Sequence, residues 1–268
     1  MSAATAPAFA IPNTAPAPPV PTSIAQTGLT ADQIEQLLIK TMYGGEATGL
    51  TLAERLRLPF TMIEPLIERV RAELLVEVRG ATGSGAAGYR YALTDAGRDR
   101  ARQYLDASQY VGPAPVSLAS YVAQMRAMAA ARVYIDRERL RHSFSHLVVS
   151  DALLEQLGPA VNAGKAVFLY GPPGNGKTVI AEGLGRALGG DMYMPHAIDV
   201  DGHTLTMFDP INHDSLEADH ESTSVIAIAP RDRRWVRIRR PVVMVGGELT
   251  LDMLDLDRKS TRLNSSHG

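Results

Sequence analysis

The order of apolar and polar residues between Leu29 and Leu74 predicts three short amphipathic helices. In each stretch the apolar residues recur three and four positions apart, which places them on one helix face. Each stretch opens with a threonine, at Thr30, Thr51 and Thr61, that is followed three residues later by Gln or Glu, the spacing of a capping box. The predicted core-facing residues are Ile34, Leu37, Leu38, Met42, Leu52, Leu56, Ile63, Ile67, Val70 and Leu74.

A β-hairpin is predicted next. Residues 75–79 and 89–93 are rich in β-branched, aromatic and other apolar residues, and the glycine-rich segment 80–88 separates them. A further helix follows directly. Three helices, a hairpin and the closing motif Tyr91–Gly97 together resemble a winged helix-turn-helix domain, which would cover residues 29–106.

The segments on either side of this region have a different composition. Residues 1–28 are rich in Ala, Pro and Thr, a composition that cannot bury enough apolar surface to order itself, so we expect a disordered arm. Residues 107–144 predict a linker, marked by Gly112 and Pro113, and then a helical stretch over Ser117–Arg141.

Downstream of residue 145 the pattern predicts a helix, a strand, a tight turn and another helix. The first helix is expected over Asp151–Val161, and the strand over the apolar run Ala166–Tyr170. A second helical pattern begins at Thr178. The turn between them therefore lies where a strand ends and a helix starts, which is the setting of a phosphate-binding loop.

The turn at residues 171–178 reads Gly-Pro-Pro-Gly-Asn-Gly-Lys-Thr and matches the pattern G-x-x-x-x-G-K-[ST] in full. Its glycines allow several backbone N–H groups to surround a triphosphate. We expect Lys177 to contact the β- and γ-phosphates of ATP and Thr178 to bind Mg²⁺, and a plain turn without a ligand is the alternative. The predicted nucleotide-binding residues are Gly171, Pro172, Pro173, Gly174, Asn175, Gly176, Lys177, Thr178 and Val179.

The loop and its flanks resemble the AAA+ ATPase family over about residues 145–256. This resemblance implies an α/β P-loop NTPase core of AAA+ type with an incomplete sheet, preceded by the small α+β winged-helix domain. It also implies that Val148 and Val149 are candidates for the adenine pocket, and ordinary core positions are the alternative for both.

The chain departs from the AAA+ pattern after the loop. The family's Walker B strand ends in Asp-Glu, which holds Mg²⁺ and positions the attacking water, and no apolar run here ends in that pair. The nearest candidate, Pro241–Glu248, has two glycines before Glu248, so it predicts either a simple strand or a catalytic base at Glu248. The family's sheet also implies that both neighbours of the strand Val167–Tyr170 come from later in the chain.

Residues 257–268 break the preceding apolar pattern and resemble a sequencing-library adapter translated in frame. A natural polar tail is the alternative. We therefore expect the natural sequence to stop near Leu256, with its true C-terminal part missing, and this chain not to hydrolyse ATP. Restoring the downstream sequence would supply the missing strands and acidic residues.

Composition narrows the class of protein. With 45% hydrophobic residues in 268, the chain is long enough for one or two domains with real cores, and its net charge of −2 gives no overall signature of nucleic-acid binding. It has no cysteine, which excludes disulfides, thiolate zinc sites and cysteine nucleophiles. We expect a cytoplasmic protein without a membrane span.

Two charged clusters allow more than one interpretation. Six arginines lie within residues 231–240, and as a strand Trp235, Arg237 and Arg239 would share one face. This face either contacts nucleic acid or an acidic partner, or belongs to a solvated strand balanced by the acidic stretch between Asp209 and Glu221. His196, His203, His213 and His220 lie among aspartates but match no zinc spacing, so polar loops are the favoured interpretation over a metal site.

The resemblance implies an ATPase of AAA+ type, a homo-oligomer at full length, that couples ATP binding and hydrolysis, with Mg²⁺, to remodelling of a macromolecular partner, which we expect to be a protein. Residues 29–106 contain ten basic and eleven acidic residues, which favours protein docking over DNA binding. The alternatives are a DNA-binding regulator switched by ATP, and an interaction module that binds nucleotide without turnover.

Overall fold

The structure, a computed structural model, divides into two compact units, and each is described separately. It describes residues 16–83, 85–131, 134–145, 147–163, 167–172, 174–217 and 231–241. Within these ranges the first unit contains residues 16–131 and 190–240, and the second contains residues 134–189 and residue 241. The protein is a mixed α/β protein with small sheets.

The first unit contains six of the described helices and all eight of the described strands. The helices are α1 (Ile24–Thr27), α2 (Ala31–Met42), α3 (Gly49–Leu56), α4 (Phe60–Ala72), α5 (Asp95–Ala107) and α6 (Leu118–Ala130). The strands are β1 (Ala47–Thr48), β2 (Val76–Ala81), β3 (Tyr89–Leu93), β4 (Val116–Ser117), β5 (Asp191–Pro195), β6 (Ala197–Val200), β7 (His203–Thr206) and β8 (Trp235–Arg239).

The predicted helix starts are right for α2 and wrong for α3 and α4. Thr30 caps α2 in a complete capping box with Gln33. Helix α3 starts earlier because the hydroxyl of Thr48, one turn before Thr51, accepts the Thr51 amide hydrogen at 3.1 Å. Helix α4 begins directly after Pro59, whose ring fixes φ at −56°, rather than at Thr61.

The predicted apolar stripes form the main core of the first unit. All of the predicted core-facing residues are buried there except Leu74, which is 74% exposed. Leu74 lies in the turn between α4 and β2 with a positive φ of 59°, so its side chain leaves the helical stripe. The predicted hairpin is confirmed: β2 pairs antiparallel with β3, and β1 pairs with the other edge of β3.

The second half of the predicted disordered arm is ordered, which corrects the expectation for residues 16–28. Pro18 and Thr27 are buried, and α1 forms within this segment. The carbonyl of Pro18 accepts a hydrogen bond from the Asp232 amide at 3.0 Å. Proline has no backbone N–H to donate, so a proline-rich segment makes few hydrogen bonds as a donor. Its carbonyls still accept hydrogen bonds, and here other segments of the unit supply the N–H groups.

The described residues between 190 and 240 pack with the N-terminal elements, whereas the AAA+ resemblance placed this stretch in a 145–256 core. Strand β4, at the end of the linker, pairs in parallel with β6, and β7 adds antiparallel to the other side of β6. Strands β5 and β8 form a separate antiparallel pair. Backbone pairing therefore joins β4, at the end of the linker, to β6, which the AAA+ resemblance over 145–256 did not imply.

A buried ion pair fastens this arrangement. The side chains of Arg234 and Asp232 are 3% and 4% exposed, and the guanidinium donates to both carboxylate oxygens at 2.7–3.1 Å. Its remaining nitrogen donates to the carbonyls of Thr27 and Pro115 at 3.1 and 3.0 Å. One side chain thus connects β8 to α1 and to the linker before β4.

The second unit contains α7 (Arg137–Ser143), α8 (Asp151–Asn162) and α9 (Lys177–Leu188). The predicted helix Asp151–Val161 is confirmed as α8. The predicted stretch Ser117–Arg141 is two helices instead, because α6 ends at Ala130 and the Asp136 side chain caps the start of α7. No helix in the described part of the chain combines the length and apolarity that crossing a membrane requires.

We predict that Asp232→Ala destabilises the first unit strongly. It would leave the buried Arg234 guanidinium without its counterion, which typically costs about 3–5 kcal/mol. Chemical denaturation of the full chain measures the loss. Glu68→Ala, which breaks the exposed pair of Arg71 and Glu68, is the matched control and should cost at most about 1 kcal/mol. Equal effects of the two variants would contradict the role given to the buried pair.

Candidate nucleotide-binding site

Helix α9 is the rigid base of the candidate site. Leu184 and Ala187 on one face are buried with Leu140 of α7 and with Phe144, the residue directly after α7. The Arg139 Nε donates to the carbonyl of Ala187, at the C-terminal end of α9, at 3.1 Å. This packing fixes the direction of the helix, so its N-terminal end is held in place while the loop before it stays open.

Glycines give the loop before α9 its shape. Gly171, Gly174 and Gly176 have φ angles of 149°, 86° and 69°, in the region that side-chain-bearing residues rarely adopt. A Cβ atom added at any of the three would meet nothing within 4 Å. The loop is therefore open to a ligand, and Pro173 lies outside the described residues.

The N-terminal end of α9 suits an anion. Gly176 is its N-cap residue and offers no capping side chain, so the first-turn amides are not satisfied by a cap. Exposed amides together with the positive end of the helix dipole attract phosphate groups. Gly174 and Asn175 on the loop are exposed.

Lys177 supplies the positive charge at the loop. Its ammonium donates to the carbonyls of Gly171 and Pro172 at 2.9 and 2.7 Å, which places it across the mouth of the loop. None of the described carboxylates forms an ion pair with it. The Thr178 side chain is exposed at the first turn of α9, and Val179 is half-buried.

The prediction of a strand before the loop is wrong for the described residues 167–170. They form no strand, and no described strand lies alongside to accept and donate their backbone hydrogen bonds. Phe168 and Tyr170 are each 84% exposed, and their rings stack on each other with centroids 6.1 Å apart. A β-strand needs a neighbour to satisfy its backbone, which explains why apolar sequence alone did not produce one.

The AAA+ resemblance also implied two adenine-pocket candidates, Val148 and Val149, and the structure describes both. Val149 packs against the core of the second unit, as its core alternative predicted, whereas Val148 is fully exposed. Glu248, the candidate base, lies outside the described residues. Adenine contact by either valine stays a prediction.

The histidines do not assemble a metal site within the described part of the chain, where no group of three His, Asp or Glu side chains is placed to hold an ion. His196 instead packs edge-on against Phe208, with ring centroids 5.5 Å apart. Burial, and secondarily the charge of Arg57, lowers the pKa of His196 to about 4. His220 lies outside the described residues.

The arginine-rich strand β8 does not present an aromatic face for nucleic acid. Trp235 is 3% exposed and stacks on Tyr121 at a centroid distance of 6.4 Å. Arg231 pairs with Glu217, and Arg237 pairs with Asp191. Arg231, Arg234 and Arg237 therefore have acidic partners, as the alternative of a balanced cluster predicted, whereas the buried Trp235 does not lie on a solvated face.

Sequence comparison links the chain to a known ATPase over a short segment. A vesicle-fusing ATPase from Dictyostelium discoideum is 44% identical over 54 residues, which is 20% of this chain and 7% of that protein. No family model matches the chain, and no solved structure matches it. The chain therefore spans a small part of this relative, and the partial similarity supports the resemblance to the AAA+ ATPases.

We predict that Gly183→Ala destabilises the base of the loop. Alanine is the better helix former by about 1 kcal/mol, but a Cβ at this position would lie 2.1 Å from the ring of buried Phe144. A thermal melt of the full chain should show a lower midpoint.

Gly158→Ala in α8 is the matched control, because there the new Cβ would only touch Leu140 at 3.9 Å. This second variant should melt at the same temperature as the parent protein or higher. If both variants shifted the midpoint upward, the close packing of α9 against α7 would be refuted.

Proposed function

We propose that residues 171–179 bind ATP together with Mg²⁺. The observation that carries the proposal is the open glycine loop at the uncapped start of α9, with the ammonium of Lys177, which pairs with no described carboxylate, across its mouth. The loop amides and the helix end would surround the phosphates, which need many donors at once.

The chain's own residues have distinct tasks in this proposal. Lys177 would leave the carbonyls of Gly171 and Pro172 and donate to the outer phosphate oxygens, so the loop carbonyls hold it ready near the place where it acts. The exposed Thr178 hydroxyl would ligate Mg²⁺, which reaches the site with the nucleotide. Mg²⁺ supplies charge neutralisation of the phosphates when bound.

We propose further that the protein is an ATPase of AAA+ type that couples ATP binding and hydrolysis to remodelling of a macromolecular partner. The partial similarity to a vesicle-fusing ATPase and the loop motif support this. Hydrolysis, assembly into a homo-oligomer and a cytoplasmic location belong to the proposal for the natural protein.

We predict that Lys177→Ala lowers ATP affinity about 10- to 100-fold, because it removes a charge-assisted contact to the phosphates. Isothermal titration calorimetry of the full chain with ATP measures the change. Thr178→Ala should weaken binding in the presence of Mg²⁺ and leave binding in EDTA almost unchanged.

Arg141→Ala is the matched control, because Arg141 is an exposed cation of the same unit that pairs with Asp151. Its ATP affinity should equal that of the parent. Unchanged affinity in Lys177→Ala would sink the nucleotide assignment. ATP binding with no phosphate release in the natural-length protein would instead favour the interaction module without turnover.

We propose that residues 29–106 dock a protein rather than read DNA. Helix α4, the third helix of the winged-helix pattern, and the hairpin carry basic residues whose charges are answered by acids of the same region. The pairs are Arg69 with Asp32 and Glu35, Arg71 with Glu68, Arg79 with Glu77, and Arg90 with Glu46. DNA binding needs cations that are free to neutralise phosphates and displace the counterions condensed on the DNA, and these arginines already have acidic partners.

We predict no saturable binding of duplex DNA by the full chain at micromolar protein and 150 mM salt, measured by fluorescence anisotropy. Residual binding at 20 mM salt should vanish as salt rises, because only a few arginines would contribute. Tight binding at 150 mM salt that Arg79→Gln and Arg90→Gln abolish would favour the DNA-binding regulator switched by ATP.

A further inference from the structure

A second cavity, unrelated to the glycine loop, lies in the first unit at the C-terminal end of α2. Its volume is about 580 Å³, and it opens to solvent. Side chains and backbone of α2, α3, α5 and the following linker line it. A cavity of several hundred cubic ångströms is the size that holds a small organic ligand.

The walls of this cavity combine an apolar surface with positive charge. Leu105 of α5 and Val111 of the linker supply aliphatic surface, and the ring of Tyr43 adds an aromatic wall. Lys40 and Arg55 are the cations of the lining. None of the described residues that line the cavity is Asp or Glu.

Neither cation has an acidic partner among the described residues. Lys40 is buried, and its ammonium donates to the carbonyl of Ser108 at 3.1 Å, a neutral acceptor. Arg55 is exposed at the rim and forms no ion pair with any described carboxylate. This differs from the paired arginines of α4 and the hairpin, whose charges are answered.

The lysine also carries a desolvation cost. Burial lowers the pKa of Lys40, which means that its environment disfavours the ammonium. An anion bound in the adjoining cavity would stabilise the charged form of Lys40 by electrostatic attraction and so offset the cost of burying it. Long side-chain stems of lysine and arginine add apolar contact area beside the charged ends.

We propose that this cavity binds an organic carboxylate with an apolar body. The carboxylate would lie between Arg55 and Lys40, and the hydrocarbon would contact Leu105, Val111 and the Tyr43 ring. Guanidinium matches the planar geometry of a carboxylate, which favours this anion over a point-charge partner. The apolar walls would not be covered by inorganic phosphate.

A smaller cavity beside it does not compete for this role. It also contacts Lys40, but its volume is about 70 Å³ and polar groups such as Gln33 and Asp199 line it. Asp199 already accepts a hydrogen bond from Gln33 at 3.2 Å, and its negative charge would repel a carboxylate. Ser108, whose carbonyl accepts the Lys40 ammonium, also lines the smaller cavity, so Arg55 is the cation that only the larger cavity of the two offers, and Lys40 would have to leave Ser108 to reach a carboxylate there.

The test is calorimetric titration of the full chain with octanoate, with octanol and with inorganic phosphate, each in the absence of nucleotide. Octanoate should bind, and octanol and phosphate should each bind at least tenfold more weakly, because one lacks the charge and the other lacks the hydrocarbon. Arg55→Gln should weaken octanoate binding about tenfold or more.

Two further variants keep the test independent of folding defects. Val111→Glu places a repelling carboxylate on an exposed wall residue and should abolish octanoate binding with an unchanged melting temperature. Arg98→Gln, an exposed arginine outside the cavity, is the matched control and should bind octanoate as the parent does.

Equal binding of octanoate and octanol, or full affinity in Arg55→Gln, would overturn the proposal. Failure of octanoate to bind at millimolar concentration would overturn it as well. ATP affinity should be the same in the parent and in Arg55→Gln, since this proposal does not rest on the glycine loop.

Discussion

The buried pair of Arg234 and Asp232 is the interaction on which the first unit depends. A guanidinium removed from water is costly unless every donor finds an acceptor, and here two carboxylate oxygens and the carbonyls of Thr27 and Pro115 provide them. Each acceptor belongs to a different stretch of chain. The pair therefore holds the N-terminal segment, the linker and the start of β8 together. The small sheets formed by β4 to β8 need such a tertiary contact, because sheets of so few short strands have little stability on their own.

In the second unit, a tightly packed helix, α9, directly follows an open loop. Helix α9 is packed against α7 so closely that Gly183 leaves no room for a methyl group beside Phe144. The loop directly before it has the opposite character, since Gly171, Gly174 and Gly176 face open space. A phosphate site needs both properties, because the helix end must be fixed in direction while the amides in front of it remain uncovered.

The two candidate sites differ in the chemistry that they offer. The glycine loop presents backbone donors around Lys177, which suits a highly charged and strongly hydrated polyanion. The cavity at α2 presents Arg55 and Lys40 beside apolar walls, which suits a single carboxylate with a hydrocarbon. Arg69, Arg71 and Arg79 of the first unit are paired with acids, whereas Arg55 and Lys40 pair with no described carboxylate and lie beside apolar walls.

Elements with strong local signals could be predicted from sequence alone. They are helix α2 with its capping box, the hairpin of β2 and β3, helix α8, and the glycine loop before α9. Caps, periodicity and glycines act within a few residues, so a linear pattern contains them. Tertiary structure decided what depends on partners far along the chain. Val167–Tyr170 has the composition of a strand but no described strand to pair with. Alternation in the sequence placed Trp235 on a cationic face, but in the structure its ring is buried and stacks on Tyr121. The cavity at α2 was likewise invisible in sequence, because its cations come from two helices and its walls from α5 and the linker.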